Sequence, residues 1–153
     1  MSTVTDKYPR STAIHEAGHA IVAWSFGLPI GAIWVSAEDA SGGTEIGSAD
    51  HLKLADQIAV WCAGGIAQEI CECPGHELAT FQDNVAIMNL LEEHGFTEED
   101  DGPALRAHGY SIAASKLQLH RAKMMVVVEQ LVERGRIEAS DFLGLDDRPN
   151  SGG

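Results

Sequence analysis

The sequence lacks any apolar run near the roughly 18 residues that a membrane-spanning helix requires; the longest candidate is Met124 to Val128, inside a charged helical pattern. Direct insertion into a bilayer is therefore not expected. Basic residues are scarce: 10 Lys and Arg stand against 23 Asp and Glu, a formal charge of −13 over 153 residues. A surface this negative repels phosphate backbones, and no basic run with interleaved aromatics offsets it, so nucleic acid is excluded as an expected partner. Anionic membrane surfaces are disfavoured by the same sign. Cysteine is limited to Cys62, Cys71 and Cys73. That is an odd count for a disulfide framework, and a lone Cys-x-Cys pair has neither the number nor the spacing of a structural zinc site. Free thiols in a reducing compartment are expected. Met1 to Arg10 shows no basic flank followed by an apolar core, so the chain reads as cytoplasmic.

What is present suits one globular domain, expected over residues 5–143, with 44% apolar and 22% charged residues. A second large domain is not expected within this length. Gly144 to Gly153 is polar, with Pro and Gly, and is expected to be a disordered tail. Between Ser11 and Phe26 the apolar residues Ala13, Ile14, Ala17, Ala20, Ile21, Ala23 and Trp24 recur at three and four, the period of a helix with one buried face. Ser11 or Thr12 is placed to cap it, and Gly27 with Pro29 to stop it. Ile30 to Ser36 is β-rich, and Ala37 to Gly43 reads as a turn before a second short strand at Thr44 to Gly47.

Helical spacing resumes from Leu52 to Ile70 and again from Leu78 to His94, where Gly95 marks the stop. Gly64 and Gly65 inside the first of these each cost about 1 kcal/mol in helix propensity, which implies tight packing there. Thr97 to Pro103 reads as an acidic solvated loop. The longest helical pattern runs from about Ser111 to Glu133, with Gly135 as its cap and a short helical turn at Glu138 to Phe142. The expected class is α+β and mainly helical: one helix carrying an H-E-x-x-H motif, a short β-hairpin or edge strand, and a bundle of four to five helices.

The motif is His15-Glu16-Ala17-Gly18-His19, inside the first helix. Residues four apart on a helix differ by about 40° around its axis, so two imidazoles one turn apart can converge on one ion. Glu16, rotated by about 100° from His15, is suited to hold water beside the metal rather than to ligate it. A zinc ion with three protein ligands keeps a position open for water and lowers that water's pKa to about 7, and the neighbouring carboxylate takes the proton. The third ligand must come from another segment. The candidates are His51, Glu69, His76, Asp83, His94, His108 and His120, and periodicity does not choose among them.

The stretch Ser11 to Ala20 resembles the active-site helix of the FtsH family of ATP-dependent zinc metalloproteases. Leu28-Pro29-Ile30 and the β run after it resemble that family's edge strand. Ala63-Gly64-Gly65-Ile66-Ala67-Gln68-Glu69 is similar to its Leu-Gly-Gly-Arg-Ala-Ala-Glu segment, and Phe81 to Ile87 to its Asn-Asp helix start. His120 to Phe142 resembles its closing helix, so the likeness covers most of residues 8 to 143 in order. The resemblance implies a mainly helical proteolytic fold with His15, His19 and Asp83 holding Zn2+ and Glu16 as general base. It also implies that Glu69 orients a ligating histidine, with Glu69 as direct ligand held in reserve. The departures are the absence of a G-x-x-x-x-G-K-[ST] phosphate loop, a shorter Glu72 to Gln82 segment, and Ile66 where the family often has Arg.

The expected function is zinc-dependent cleavage of flexible or unfolded polypeptides without an ATPase of its own. A homo-oligomer or a separate unfoldase are possible partners. The rival reading is a non-catalytic metal-binding or adaptor module of the same fold; a weaker third is a zinc hydrolase acting on a non-peptide amide or ester. Strand Gly31 to Ser36, with Ile33, Trp34 and Val35, could pair with an extended substrate, the alternative being that it pairs only with the second strand. Trp24, Trp34 and Trp61 are expected in the core or the cleft wall, Met88 and Met124 to Val128 in the core, and His51, His94, His108 and His120 at the surface or satisfied.

Overall fold

The computed structural model describes residues 6–75, 77–96 and 101–144. Along them run α1 (Arg10–Ser25), β1 (Ile30–Val35), β2 (Gly42–Ile46), α2 (Leu54–Ile70), α3 (Glu77–Glu93), α4 (Gly102–Leu119), α5 (Arg121–Arg134), β3 (Arg136–Ile137) and α6 (Ala139–Gly144). The class is α+β and mainly helical: six helices and a three-stranded antiparallel sheet among the described residues. Helix α6 reaches Gly144, the first residue assigned above to a tail; 145–153 and most of the acidic 97–103 loop lie outside the described residues.

Helix α1 is the hub. Its periodicity implies one buried face, yet every residue from Thr12 to Ala23 is buried, because it packs against α2, α5 and both long strands at once. With Ala, Gly, Ile and Val around the whole circumference and Glu16 as its one acid, it has no polar stripe to present to water. It starts at Arg10 with Pro9 at the cap position, not with a Ser11 or Thr12 cap. The Thr12 hydroxyl instead donates to the Ala40 carbonyl at 2.8 Å, tying α1 to the β1–β2 turn.

Small residues let α1 and α2 approach closely. A Cβ on Gly18 would lie 2.7 Å from both the Ala63 carbonyl oxygen and the Ala67 Cβ of α2, and one on Gly64 would lie 2.5 Å from Nε2 of His15. Gly64 is thus the price of that contact. Gly65 would meet nothing nearer than Thr80 at 3.8 Å, so the tight packing expected of the pair belongs to Gly64 alone.

The sheet order is β2-β1-β3, which overturns the expectation that the strand with Ile33, Trp34 and Val35 offers a free edge. Helix α5 ends at Gly135, whose φ of +78° turns the chain back so that Ile137 and Arg136 pair with Ile33 and Trp34. Ile33 and Val35 are buried, and the Arg136 guanidinium covers the Trp34 ring at 5.8 Å. A two-residue strand shows no alternation to read, so β3 was invisible in the sequence. On the other side β1 pairs with β2 through a register irregularity between Ile30 and Ile33, where the Ala32 N–H donates to the Glu45 carboxylate at 2.9 Å.

The single helix expected over Ser111 to Glu133 is two. The chain breaks at His120, α4 packing on α2 and α5 on α1, and α4 begins at Gly102 with Pro103 in its first turn. The 3.6-residue pattern continues across the break because both helices face the same core, so periodicity joined them. Val126 and Met88, expected inside, are exposed, while Met124, Val127, Val128 and Leu131 are core.

Replacing Gly18 by Ala should lower stability by about 2 kcal/mol despite the better helix propensity, because the methyl meets main-chain atoms that cannot move aside. Urea unfolding followed by circular dichroism tests this; an unchanged or higher midpoint would mean that α1 and α2 stand further apart.

Candidate metal centre

His15 and His19 sit one turn apart on α1, and Asp83 comes from the second turn of α3. Nε2 of His15 lies 3.1 Å from Nε2 of His19, and Oδ2 of Asp83 lies 3.0 Å from the first and 3.1 Å from the second. Both histidines are buried and Asp83 nearly so. A tetrahedral ion with bonds of about 2.0–2.1 Å has ligand-to-ligand edges of about 3.3 Å, so this triangle is slightly tighter than a filled site. The three residues could hold a metal ion.

The tautomers explain why a cation fits there. Nδ1 of His19 is 2.8 Å from the Val60 carbonyl oxygen, which can only accept, so Nδ1 carries the proton and donates it. Nδ1 of His15 donates to Oε1 of Gln68 at 2.9 Å, and the Gln68 amide is oriented by its own Nε2 donating to the Ser11 carbonyl at 3.2 Å. Each neutral ring therefore turns an unprotonated Nε2 inward. Two nitrogen lone pairs and a carboxylate oxygen then meet with no hydrogen between them, a repulsive arrangement unless a proton or a cation enters. The titration directions agree. Burial opposes charge on His19, but the hydrogen bond and attraction from Asp83 outweigh it and raise its pKa above the ordinary 6.5. Burial likewise opposes charge on Asp83, and contacts with His15 and His19 outweigh it and lower its pKa below 3.8.

Glu16 is buried beside this group, and Oγ1 of Thr44, from β2, donates to its Oε1 at 2.7 Å. The same hydroxyl lies 3.1 Å from the Glu16 carbonyl oxygen, so one side chain fixes both the carboxylate and the helix turn beneath it. The group lies in a cleft of about 970 Å³ walled by α1, β2 with its flanking turns, α2 and α3.

His15, Glu16, His19 and Asp83 are thus brought together as expected. Glu69 is not with them. It is exposed and borders a separate shallow pocket with Phe81 and Thr80, while its neighbour Gln68 makes the bond to His15. Helix α2 turns by about 100° per residue, so a one-position difference exchanges the inside for the outside, and a preference for acids behind ligating histidines pointed to the wrong member of the pair. Ile33, Trp34 and Val35 do not line the cleft; Trp61 does. His51, His94 and His108 are exposed, and His120 packs edge-on against Trp24. His76 lies outside the described residues. Thr44 carried no signal in the sequence, since a hydroxyl in a short strand announces no partner 28 residues away. Cys62 is buried, which pushes its thiol up to about 12, and no disulfide forms among the described residues.

No family model matches the sequence, and a comparison with the curated proteins finds no match. Fold and site define an α+β domain with a buried His-x-x-x-His plus Asp group that could bind a metal.

Gln68→Ala should weaken zinc binding about 10- to 100-fold, whereas Glu69→Ala should leave it within about twofold, measured by competition with a chromogenic chelator. The reverse ranking would restore Glu69 to the site. Binding should also release protons, and because the His19 pKa is raised, affinity should begin to fall already above pH 6.5 as the pH is lowered. Calorimetry in buffers of different ionisation heat reads that proton release; none above pH 6.5 would contradict the direction of the shift.

Proposed function

We propose that the domain is a zinc-dependent endopeptidase of the FtsH proteolytic type, cleaving flexible or unfolded polypeptides. The observation that carries the reading is the meeting of two Nε2 atoms and one carboxylate oxygen within 3.1 Å on the wall of an open cleft, with a buried glutamate next to them. Two imidazoles and one carboxylate form a donor set that zinc takes, leaving a coordination position open. Zinc bound there would act as a Lewis acid on water and on a carbonyl.

The chain's own residues supply the rest. Val60 and Gln68 hold the imidazoles in one tautomer and one orientation. Glu16 is the general base: Thr44 occupies its Oε1, so Oε2 is the atom that accepts the proton. Burial limits the contact of that carboxylate with bulk water. Strand β2 ends the sheet on the cleft side, and its edge suits an extended polypeptide paired through main-chain hydrogen bonds. This gives β2 the role first expected of β1.

Zinc-loaded protein should hydrolyse unfolded casein, and chelator should stop it. Glu16→Gln should lower kcat about 10²- to 10⁴-fold while retaining zinc, since both imidazoles and Asp83 remain. Zinc binding without hydrolysis by the wild type would favour the non-catalytic module of the same fold.

A further inference from the structure

The charge of this chain is unevenly spread. Residues 11–105 carry sixteen Asp and Glu and one cation, Lys53, whereas the remainder carries nine Lys and Arg against seven acids. The acidic stretch builds α1, β1, β2, α2 and α3, four of which wall the cleft. Among the described residues lining the cleft there is no Lys or Arg.

Three exposed carboxylates border the cleft around the buried His15, His19 and Glu16. Asp39 stands in the turn before β2 and Asp50 beyond its far end, so the two bracket the strand. Glu93 lies on the opposite wall near the end of α3, ten positions and about 15 Å along the helix from Asp83. No Lys or Arg among the described residues pairs with any of the three; Arg10, for comparison, is taken by Asp6 and Glu129. Asp39 is held by the Ser41 hydroxyl and N–H, which lower its pKa and keep it ionised. Between these charges the walls carry no further exposed charge and combine Gly42, Gly43, Val60, Trp61 and Leu90 with the neutral amides of Gln57, Gln82 and Asn89.

We propose that the cleft selects polypeptide segments carrying lysine or arginine on both sides of a short apolar stretch. The proposal rests on the peptidase reading for the orientation of the chain along β2, and adds the substrate class. A cleft lined with one sign of charge raises the local concentration of the opposite sign and repels its own. A segment lying along β2 places its flanking side chains at Asp39 and Asp50, its apolar residues against Trp61 and Leu90, and a further cation within reach of Glu93.

The test uses two dansyl-labelled octapeptides with the same Ala-Leu-Ala-Leu centre, one ending in two lysines at each side and the other in two glutamates. Binding to zinc-loaded Glu16→Gln protein is read by fluorescence anisotropy, and hydrolysis by the wild type is followed in parallel. The lysine peptide should bind at least about tenfold more tightly at low salt, with the difference shrinking severalfold as salt is raised. The triple variant Asp39→Asn, Asp50→Asn, Glu93→Gln, whose changes are all exposed, should erase that difference without shifting the melting temperature. Equal binding of the two peptides, binding of neither, or a preference that survives in the triple variant would overturn the proposal. Charge-selective binding without hydrolysis would remove the peptidase reading and leave the selectivity; equal hydrolysis of both peptides would do the opposite.

Discussion

The centre depends on two hydrogen bonds that never touch a metal: the Nδ1 atoms of His15 and His19 donating to Gln68 and to the Val60 carbonyl. Both acceptors belong to α2, so the distance between α1 and α2 sets the tautomer, the ring orientation and the separation of the Nε2 atoms together. That distance is possible because Gly18 and Gly64 have no side chains where the helices cross. A helix carrying His-x-x-x-His elsewhere could present the same two residues and leave each ring free to rotate. Here the packing core and the chemical core are the same surface, which is why α1 is buried all round rather than along a stripe.

Burial also sets the energetics. Two imidazole nitrogens and one carboxylate oxygen meet within 3.1 Å, with the imidazole protons directed away from one another, an arrangement that a proton or a cation between them would relieve. A cation bound there would therefore stabilise the folded chain as well as the site, since the three donors come together only on folding. Asp83 is the least enclosed of the three. It is supplied by α3, which packs mainly on α2 and leaves Phe81, Val85 and Met88 in solvent, whereas His15 and His19 are set in a helix buried from Thr12 to Ala23.

Much of the site was legible because its logic is local. The spacing of His15 and His19, the placement of Glu16 and the helix around them follow from a 3.6-residue period. Asp83 was not decided by that period, which left seven candidates; the resemblance chose it, and the structure brings it to the rings. What escaped was non-local. Gln68 took the place of Glu69 because a helix face is a matter of rotation, and a sequence window does not show which face meets α1. β3 escaped because two residues have no pattern, and its pairing removed the expected edge from β1. The break at His120 escaped because the hydrophobic rhythm on its two sides serves one core through two helices. Thr44 escaped because strand partners are set by the hairpin's register against α1, and not by the strand itself.

The pairing of β3 with β1 has a directional consequence. A sheet with two margins can recruit a neighbouring chain on either one, and unprotected margins invite self-assembly. β3 is an edge strand of only two residues and offers little main chain to a neighbour, whereas the longer edge strand, β2, carries the Thr44 that holds Glu16. A strand added along β2 would lie on the cleft side of the sheet, the side that holds His15 and His19, while the short β3 edge limits recruitment on the other.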